Sequence, residues 1–354
     1  MFTSKDNQKK IPAADIIFYF LLLLLAVLVF SHFAELEKIF ALFKQIKPFW
    51  FILALLTQVF TYFFAANLYH SLLALYDQES TINRSDLFKV SIISLFLSQA
   101  IPTAGLSGGS YLVHFLQKKK LSPRNSFSVF ILGIFCSYFC NLLALLFSIF
   151  YLAATIGRDW DGSLTAVIVV GIFLLIFLSA LALFFGSKNA ISYISGKVAK
   201  YKWLKRIVDK SQLKLPGDEA PDANWESPWK IVKNKFHYLW RPIFWQFMEF
   251  LADAATIFLL FYGLNFRPKF LIIFVGLILT KVVALVAISP GGLIFFEGAM
   301  VLFYNAFGIP LDLAVVVTLM FRALSFWLPM PLGLFLYGHL NNSNSEEKKE
   351  QPVS

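Results

Sequence analysis

The chain has 354 residues, of which 58% are hydrophobic and 18% aromatic, and only 15% are charged. A soluble domain usually has about 25% charged residues, so this composition excludes an ordinary soluble protein and predicts a polytopic membrane protein. The formal net charge of +10 needs no nucleic-acid partner, because an excess of Lys and Arg on cytoplasmic loops orients a membrane protein.

The apolar segments predict an all-α fold. A helix needs about 20 apolar residues to cross about 30 Å of hydrocarbon. Six continuous segments approach or exceed this length, at about 13–33, 49–76, 126–156, 164–186, 242–264 and 311–338. Two further segments, at 88–117 and 270–307, are interrupted by Pro and Gly. We therefore expect about six full spans and two broken hairpins.

The loop charges predict how these segments are oriented. The basic residues at 118–124 and along 187–241 belong in the cytoplasm, as does the basic N-terminus at 1–12. The first span lacks a cleavage site and is expected to stay uncleaved. If spans are counted from a cytoplasmic N-terminus, we expect segment 88–117 to enter and leave on the cytoplasmic side. We expect segment 270–307 to enter and leave on the outside. Both termini are then cytoplasmic in a multi-pass protein of the cell membrane.

The two interruptions resemble each other and suggest an inverted-topology repeat. Pro102 in the first and Pro290 in the second are separated by 188 residues, and both precede glycines. Transporters with such repeats place broken helix ends near the bilayer midplane. The first arm, 88–101, reaches about 21 Å, which favours a re-entrant hairpin. Two tilted full spans, or short turns outside the membrane, remain open alternatives.

The composition along the chain also predicts how it is divided into regions. We expect a first transmembrane half at 13–186 and a second at 242–340, joined by 187–241. Within that connection, residues 188–210 form a basic amphipathic pattern that suits anionic lipids of the inner leaflet, or equally a helix packed on the protein. A polar, Pro-rich linker follows, and the tail at 341–354 is expected to be disordered.

Five ionisable residues fall within apolar sequence of the second half: Glu249, Asp253, Lys281, Glu297 and Arg322. Such groups are costly in a membrane and are candidates for function. We expect Arg322 to pair with Glu297, whose carboxylate starts a helix, and Lys281 to meet Asp253. Glu249 is either part of this group or an interfacial residue. The alternative is that these pairs only hold helices together.

The glycine-rich breaks supply the other candidate binding residues. We expect the second arms to begin at Gly109 and Leu293 and to point free N–H groups at an anion such as phosphate. Glycine would let a ligand approach the backbone, although it also serves close helix packing. The candidates are Gly108, Gly109, Ser110, Gly291 and Gly292.

No signature of a hydrolase, nucleotide site or metal site occurs in the sequence. Cys136 and Cys140 lie one helical turn apart and are expected to be packing residues. We therefore predict no catalytic residue, no cofactor and no metal.

The second break, Pro290-Gly291-Gly292 through Glu297, with Gly308-Ile-Pro310 and Arg322 downstream, resembles the lysylphosphatidylglycerol synthase transmembrane, or flippase-like, family. Pro102 with Gly108-Gly109 is similar to that family's first motif. Ile294 stands where the family often has a third glycine, and Ser110 and its neighbours lack the acidic residue of many first motifs.

The resemblance implies a transporter of a phospholipid or glycolipid headgroup between leaflets. The family includes the membrane domain of the multiple peptide resistance factor, and the resemblance leads us to expect the transport part without an aminoacyl-transferase domain. Two alternatives stay open: an intramembrane lipid-modifying enzyme, for which Glu249 and Asp253 are candidate acids, and a non-catalytic partner of a lipid or polysaccharide synthase.

Overall fold

The computed structural model describes residues 44–76, 82–100, 106–156, 162–185, 227–285, 292 and 294–338. These ranges are helical apart from short connections, and they contain no β-strand. The helices are α1 (Pro48–Leu73), α2 (Arg84–Ala100), α3 (Leu106–Lys118), α4 (Pro123–Ile156), α5 (Gly162–Phe185), α6 (Pro228–Asn234), α7 (Trp240–Gly263), α8 (Phe270–Ala284), α9 (Phe295–Ala306) and α10 (Leu311–Arg322). The all-α prediction is confirmed.

Five helical stretches are long and apolar enough to cross a membrane: Pro48–Tyr76, Pro123–Thr155, Thr165–Phe184, Phe236–Gly263 and Leu311–Gly338. The last one comprises α10, a π-helical segment at Ala323–Trp327, and a helical continuation. These are five of the six predicted spans, and the first, at 13–33, lies outside the described residues. The protein is a multi-pass membrane protein.

The outward faces of the spans are apolar, as contact with lipid requires. Phe150 on α4 is 74% exposed and Phe173 on α5 is 69% exposed. A soluble monomer rarely leaves such contiguous apolar surface in water. The exposed aromatic residues therefore mark the surface that hydrocarbon covers.

Helices α1 and α7 pack against each other along their whole length and run antiparallel. The N–H of Lys47, just before α1, donates to the carbonyl of Gly263 at the end of α7, at 3.0 Å. The hydroxyls of Thr57 and Thr256 share a hydrogen bond of 2.8 Å near the middle. Each of these helices precedes one interrupted segment, so the two halves run in opposite directions, as the inverted repeat predicts.

The interrupted segments form two helical hairpins. Hairpin 1 consists of α2 and α3, and the Ser107 hydroxyl donates to the Leu97 carbonyl between its arms at 2.7 Å. Hairpin 2 consists of α8 and α9, and the Tyr304 hydroxyl donates to the Ile273 carbonyl at 3.1 Å. The arms have 12 to 17 residues, so they reach about 18–26 Å. This is shorter than about 30 Å of hydrocarbon, and re-entry of each hairpin stays a prediction.

The two hairpins leave from opposite ends of the α1–α7 pair. Hairpin 1 follows the C-terminal end of α1, and hairpin 2 follows the C-terminal end of α7. Because α1 and α7 are antiparallel, these two ends lie on opposite sides of the molecule. The residues at the turn of each hairpin, 101–105 and 286–291, lie outside the described residues.

The connection predicted at 187–241 is described only from residue 227. There the chain is packed. The Ser227 hydroxyl accepts a hydrogen bond from the Lys230 N–H at the start of α6, and Ile231 and Leu239 are buried. The predicted amphipathic helix at 188–210, the linker and the tail at 341–354 lie outside the described residues, as does the N-terminus.

The buried apolar residues form two clusters. One surrounds hairpin 1 and includes Leu72, Leu116 and Leu132. The other surrounds hairpin 2 and includes Phe261, Ile278 and Met300. The long helices α1, α4 and α7 contribute to both clusters, one near each end. Between the clusters, these same helices carry polar side chains.

We expect hairpin 2 to require glycine at position 276. A Cβ on Gly276 of α8 would overlap the buried ring of Tyr304 on α9, whereas a Cβ on Gly298 would meet nothing within 4 Å. Overpacking costs typically about 1–3 kcal/mol. Gly276→Ala should lower the melting temperature of the purified protein, and Gly298→Ala should not. Equal melting temperatures for the two variants would contradict this packing of the hairpin.

Because the two hairpins leave from opposite ends of the molecule, we expect their outer ends to be accessible from opposite sides of the membrane. In a background with Cys136 and Cys140 replaced, Lys119→Cys after hairpin 1 and Asp312→Cys after hairpin 2 should react with a membrane-impermeant thiol reagent from different sides of sealed vesicles. Labelling of both cysteines from one side would exclude the inverted arrangement.

Candidate functional site

A cavity of about 560 Å³ lies between the two apolar clusters. This volume is within the usual range of about 300–1,000 Å³ for small-molecule sites. Its walls come from α1, α2, α3, α4, α7, α8, α9 and the last span, so every described helix except α5 and α6 contributes. The polar side chains on its walls include Gln58, Thr61, Tyr62, Tyr69, Ser91, Ser94, Ser98, Gln99, Ser137, Tyr138, Asn141, Gln246 and Ser325.

The predicted contact between Arg322 and Glu297 is confirmed. Arg322 Nε lies 2.5 Å from Glu297 Oε1, and the two side chains are 9% and 21% exposed. The guanidinium also lies over the rings of Phe296 and Phe326, at 4.8 and 4.6 Å from their centroids. Aromatic faces attract a cation, so Arg322 is held by one carboxylate and two rings.

Glu297 joins this cation to the start of α9. Its second oxygen accepts a hydrogen bond of 2.6 Å from the N–H of Ile294, the residue that precedes the helix. A carboxylate in the first turn is stabilised by the helix dipole and satisfies a free N–H group. The tip of hairpin 2 is thereby tied to the middle of the last span.

The predicted contact between Lys281 and Asp253 is also confirmed. Lys281 Nζ on α8 lies 2.9 Å from Asp253 Oδ2 on α7, and it lies over the ring of Phe250 at 4.4 Å. Glu249 lies one helical turn from Asp253, and both residues are on the cavity wall. The Glu249 carboxylate accepts a hydrogen bond from the Gln246 amide at 3.1 Å, and it interacts electrostatically with Lys281 but forms no ion pair within 4 Å among the described residues.

The tip of hairpin 1 reaches the same part of the last span. The Gln99 amide, near the end of α2, donates to the carbonyl of Ser325 at 3.4 Å. Ser325 belongs to the π-helical segment that begins directly after Arg322, where the Leu328 N–H donates to the Ala323 carbonyl at 2.9 Å. Such π-helical segments are rare in proteins, and those that occur are often at functional sites. Both hairpin tips therefore contact neighbouring turns of the last span, at Ser325 and at Arg322.

Several buried polar atoms on the cavity wall have no hydrogen-bond partner. They are Gln58 Oε1, Tyr62 Oη, Ser94 Oγ, Gln99 Oε1, Asn141 Oδ1 and Ser325 Oγ, and they come from α1, α2, α4 and the last span. Buried polar atoms are nearly always paired, because an unpaired one costs about 1–3 kcal/mol. Their concentration on one cavity points to a polar occupant or to water.

Gly108 and Gly109 line the cavity, but both are also required by packing. A Cβ on Gly108 would overlap the carbonyl of Ser94 on α2, and one on Gly109 would overlap the ring of Phe130 on α4. The packing interpretation of these glycines is therefore supported. Ser110 is exposed and is not on the cavity wall.

The prediction that the second arms begin at Gly109 and Leu293 is corrected. Helix α3 begins at Leu106, because the Ser107 hydroxyl fixes its first turn to α2. Gly109 is therefore the fourth residue of α3 and not its first.

Helix α9 begins at Phe295, after Ile294 with φ of +75°. Gly292 has φ of +68°, a conformation that glycine adopts readily, and Gly291 and Leu293 lie outside the described residues.

Sequence reasoning missed the polar residues of the first half. Gln58 on α1, Gln99 on α2 and Asn141 on α4 are uncharged, so a search for ionisable groups passed over them. A search for amide side chains inside apolar spans would have found all three.

Among the described residues no group of three or more His, Cys, Asp or Glu side chains is placed to hold a metal ion.

A family model described as the lysylphosphatidylglycerol synthase TM region matches residues 16–333. The chain belongs to this family. The match confirms the resemblance found in the two glycine-rich breaks. Ile294 has a positive φ, a conformation that is disfavoured for a β-branched residue.

Curated relatives are membrane proteins of low sequence identity. A UPF0104 membrane protein of Methanocaldococcus jannaschii is 23% identical over 87% of this chain and 90% of its own length. One of Methanothermobacter thermautotrophicus is 22% identical over 75% and 78%, respectively. A third, of Pyrococcus horikoshii, is 25% identical over 68% and 72%.

Loss of one partner of the central ion pair should destabilise the protein. Arg322→Ala leaves Glu297 largely buried without its cation, and breaking a buried pair typically costs about 3–5 kcal/mol. The control is Lys119→Ala, which breaks an exposed pair with Asp86 and should cost at most about 1 kcal/mol. Denaturation in detergent measures both. Equal stability of the two variants would show that the Arg322–Glu297 contact does not hold the hairpin tip.

Proposed function

We propose that the protein moves the polar headgroup of a phospholipid or glycolipid between the two leaflets of a membrane, leaving the lipid chemically unchanged. The observation that carries this proposal is the polar cavity between two apolar clusters, halfway along helices whose outer faces are apolar. An apolar bundle has no structural need for so many polar groups at its centre.

The cavity lowers the barrier that a headgroup meets in hydrocarbon. A polar group without hydrogen-bond partners is costly in an apolar environment, and the bilayer core offers none. Hydroxyls, amides and charged groups on the cavity wall would replace the water that the headgroup leaves. The acyl chains would stay in the surrounding lipid against the exposed apolar faces of the spans.

The arrangement of the hairpins suits access from either side in turn. Hairpin 1 and hairpin 2 leave from opposite ends of the α1–α7 pair, and their tips meet the last span at neighbouring turns. In transporters with inverted repeats, movement of one element against another opens a central site to each side. The Gln99–Ser325 and Arg322–Glu297 contacts would each close one side of the cavity, and they would break alternately.

The proposal includes three expectations about setting. The protein would lie in the cell membrane with both termini in the cytoplasm, and residues 188–210 would bind anionic lipids of the inner leaflet. A synthase that makes the lipid could be a partner.

An enzyme would instead form a covalently altered lipid, so the transport assay should include mass analysis of the recovered lipid.

Filling the cavity should stop transport without unfolding the protein. Ala65 of α1 lies on the cavity wall, so Ala65→Phe would place a ring inside the cavity. Val59 of the same helix is 44% exposed on the outer face, which makes Val59→Phe the matched control. Purified protein in liposomes with fluorescent phospholipids and glycolipids should give translocation that Ala65→Phe reduces at least about tenfold. Equal rates for the two variants would place the route outside the cavity.

A further inference from the structure

We propose that the headgroup taken by the cavity is neutral and polyhydroxylated, such as the sugar of a glycolipid, rather than a phosphate or an amine. This inference rests on the proposed lipid transport and names its substrate class. It follows from how the charges of the cavity are already neutralised and from which polar atoms are left without partners.

Both cations on the described cavity wall already have carboxylate partners. Arg322 contacts Glu297, and Lys281 contacts Asp253. A phosphate headgroup would have to displace one of these carboxylates and leave it unpaired, which is costly in a buried site. It would also face the carboxylate of Glu249, which forms no ion pair within 4 Å among the described residues. The charges of the wall therefore disfavour an anionic headgroup.

An amine is also a poor match for most of this wall. Outside the two ion pairs a cationic group would find a single carboxylate on the described wall, Glu249, which already accepts from Gln246. The other acceptors and donors on the wall are neutral and come from several helices. A compact ammonium group would contact one side of the cavity and leave the other polar atoms unsatisfied.

The unpaired polar atoms match a group with many hydroxyls. Ser94 Oγ and Ser325 Oγ can each donate and accept, whereas Gln99 Oε1 and Asn141 Oδ1 accept. A sugar hydroxyl also both donates and accepts, so a ring with several hydroxyls can satisfy all of these atoms at once. A phosphate ester only accepts and cannot satisfy the two amide oxygens.

Aromatic side chains complete the match. Tyr69, Phe130 and Tyr138 lie on the cavity wall beside these polar atoms. The C–H faces of a sugar ring are apolar and pack against aromatic rings, while its hydroxyls extend sideways to hydrogen-bond partners. A site of about 560 Å³ with aromatic walls and neutral donors and acceptors is therefore suited to a sugar.

The test compares headgroups on the same acyl chains. Purified protein in liposomes is given fluorescent monoglucosyl-diacylglycerol, phosphatidylglycerol or an aminoacylated phosphatidylglycerol, and free labelled glucose is followed separately. We expect the glycolipid to cross at least about tenfold faster than either phospholipid. If a phospholipid crosses as fast or faster, the inference is wrong while lipid transport stands. If no lipid crosses, the proposed function itself fails, and uptake of free glucose alone would indicate a sugar transporter instead.

A matched pair of variants links the preference to the cavity. Asn141→Leu removes one unpaired oxygen from the wall, and Asn125→Leu removes an unpaired oxygen from the same helix outside the cavity. We expect Asn141→Leu to reduce glycolipid transport about tenfold and Asn125→Leu to leave it unchanged. If folded Asn141→Leu protein moves the glycolipid at the unmodified rate, the sugar site is excluded. Melting temperatures confirm that both variants fold.

Discussion

Because α1 and α7 pack side by side in opposite directions, the two hairpins that follow them leave from opposite ends of the molecule. The backbone contact of Lys47 with Gly263 and the shared hydrogen bond of Thr57 with Thr256 fix this pairing. Each hairpin then builds its own apolar cluster near its own end. The middle of the molecule is left between the clusters, and the polar side chains are collected there.

The need to satisfy charges away from water explains the organisation of this middle region. Two cations from the second half are each held by a carboxylate and by aromatic rings. The ion pairs join α7 to α8 and α9 to the last span, so they also fix the tip of hairpin 2. Glu249 and the neutral polar atoms of α2 and α4 are left for an occupant. The two ion pairs thus have a structural role, and a role of Glu249 in binding stays a prediction.

Much of the fold follows from sequence patterns that physical rules make unambiguous. Apolar length predicted the spans at 49–76 and 242–264, and loop charge predicted that the halves run in opposite directions. The Arg322–Glu297 and Lys281–Asp253 contacts followed because charges in apolar sequence need partners. The start of α3 could not be read from the glycines, because Ser107 extends the helix through a contact with α2 that no local pattern encodes.

The uncharged polar residues of the cavity could not be predicted by looking for charged residues in apolar sequence. Gln58 and Asn141 are single polar residues in long apolar runs, and only the packing of α1 against α4 and α7 shows that they face a common space. Helix packing also decided the role of Gly108 and Gly109, which proximity to a break could not distinguish from ligand binding.

The central claim is that a lipid headgroup occupies the cavity while the acyl chains remain outside the bundle. Photolabelling with two lipid probes, one with a diazirine on the headgroup and one with a diazirine on the acyl chain, tests it directly. The headgroup probe should label peptides that carry Ser94 and Asn141, and the acyl probe should label outward residues such as Phe150 and Phe173. Labelling of only the helix ends by the headgroup probe, with the cavity peptides unmodified, would contradict the account.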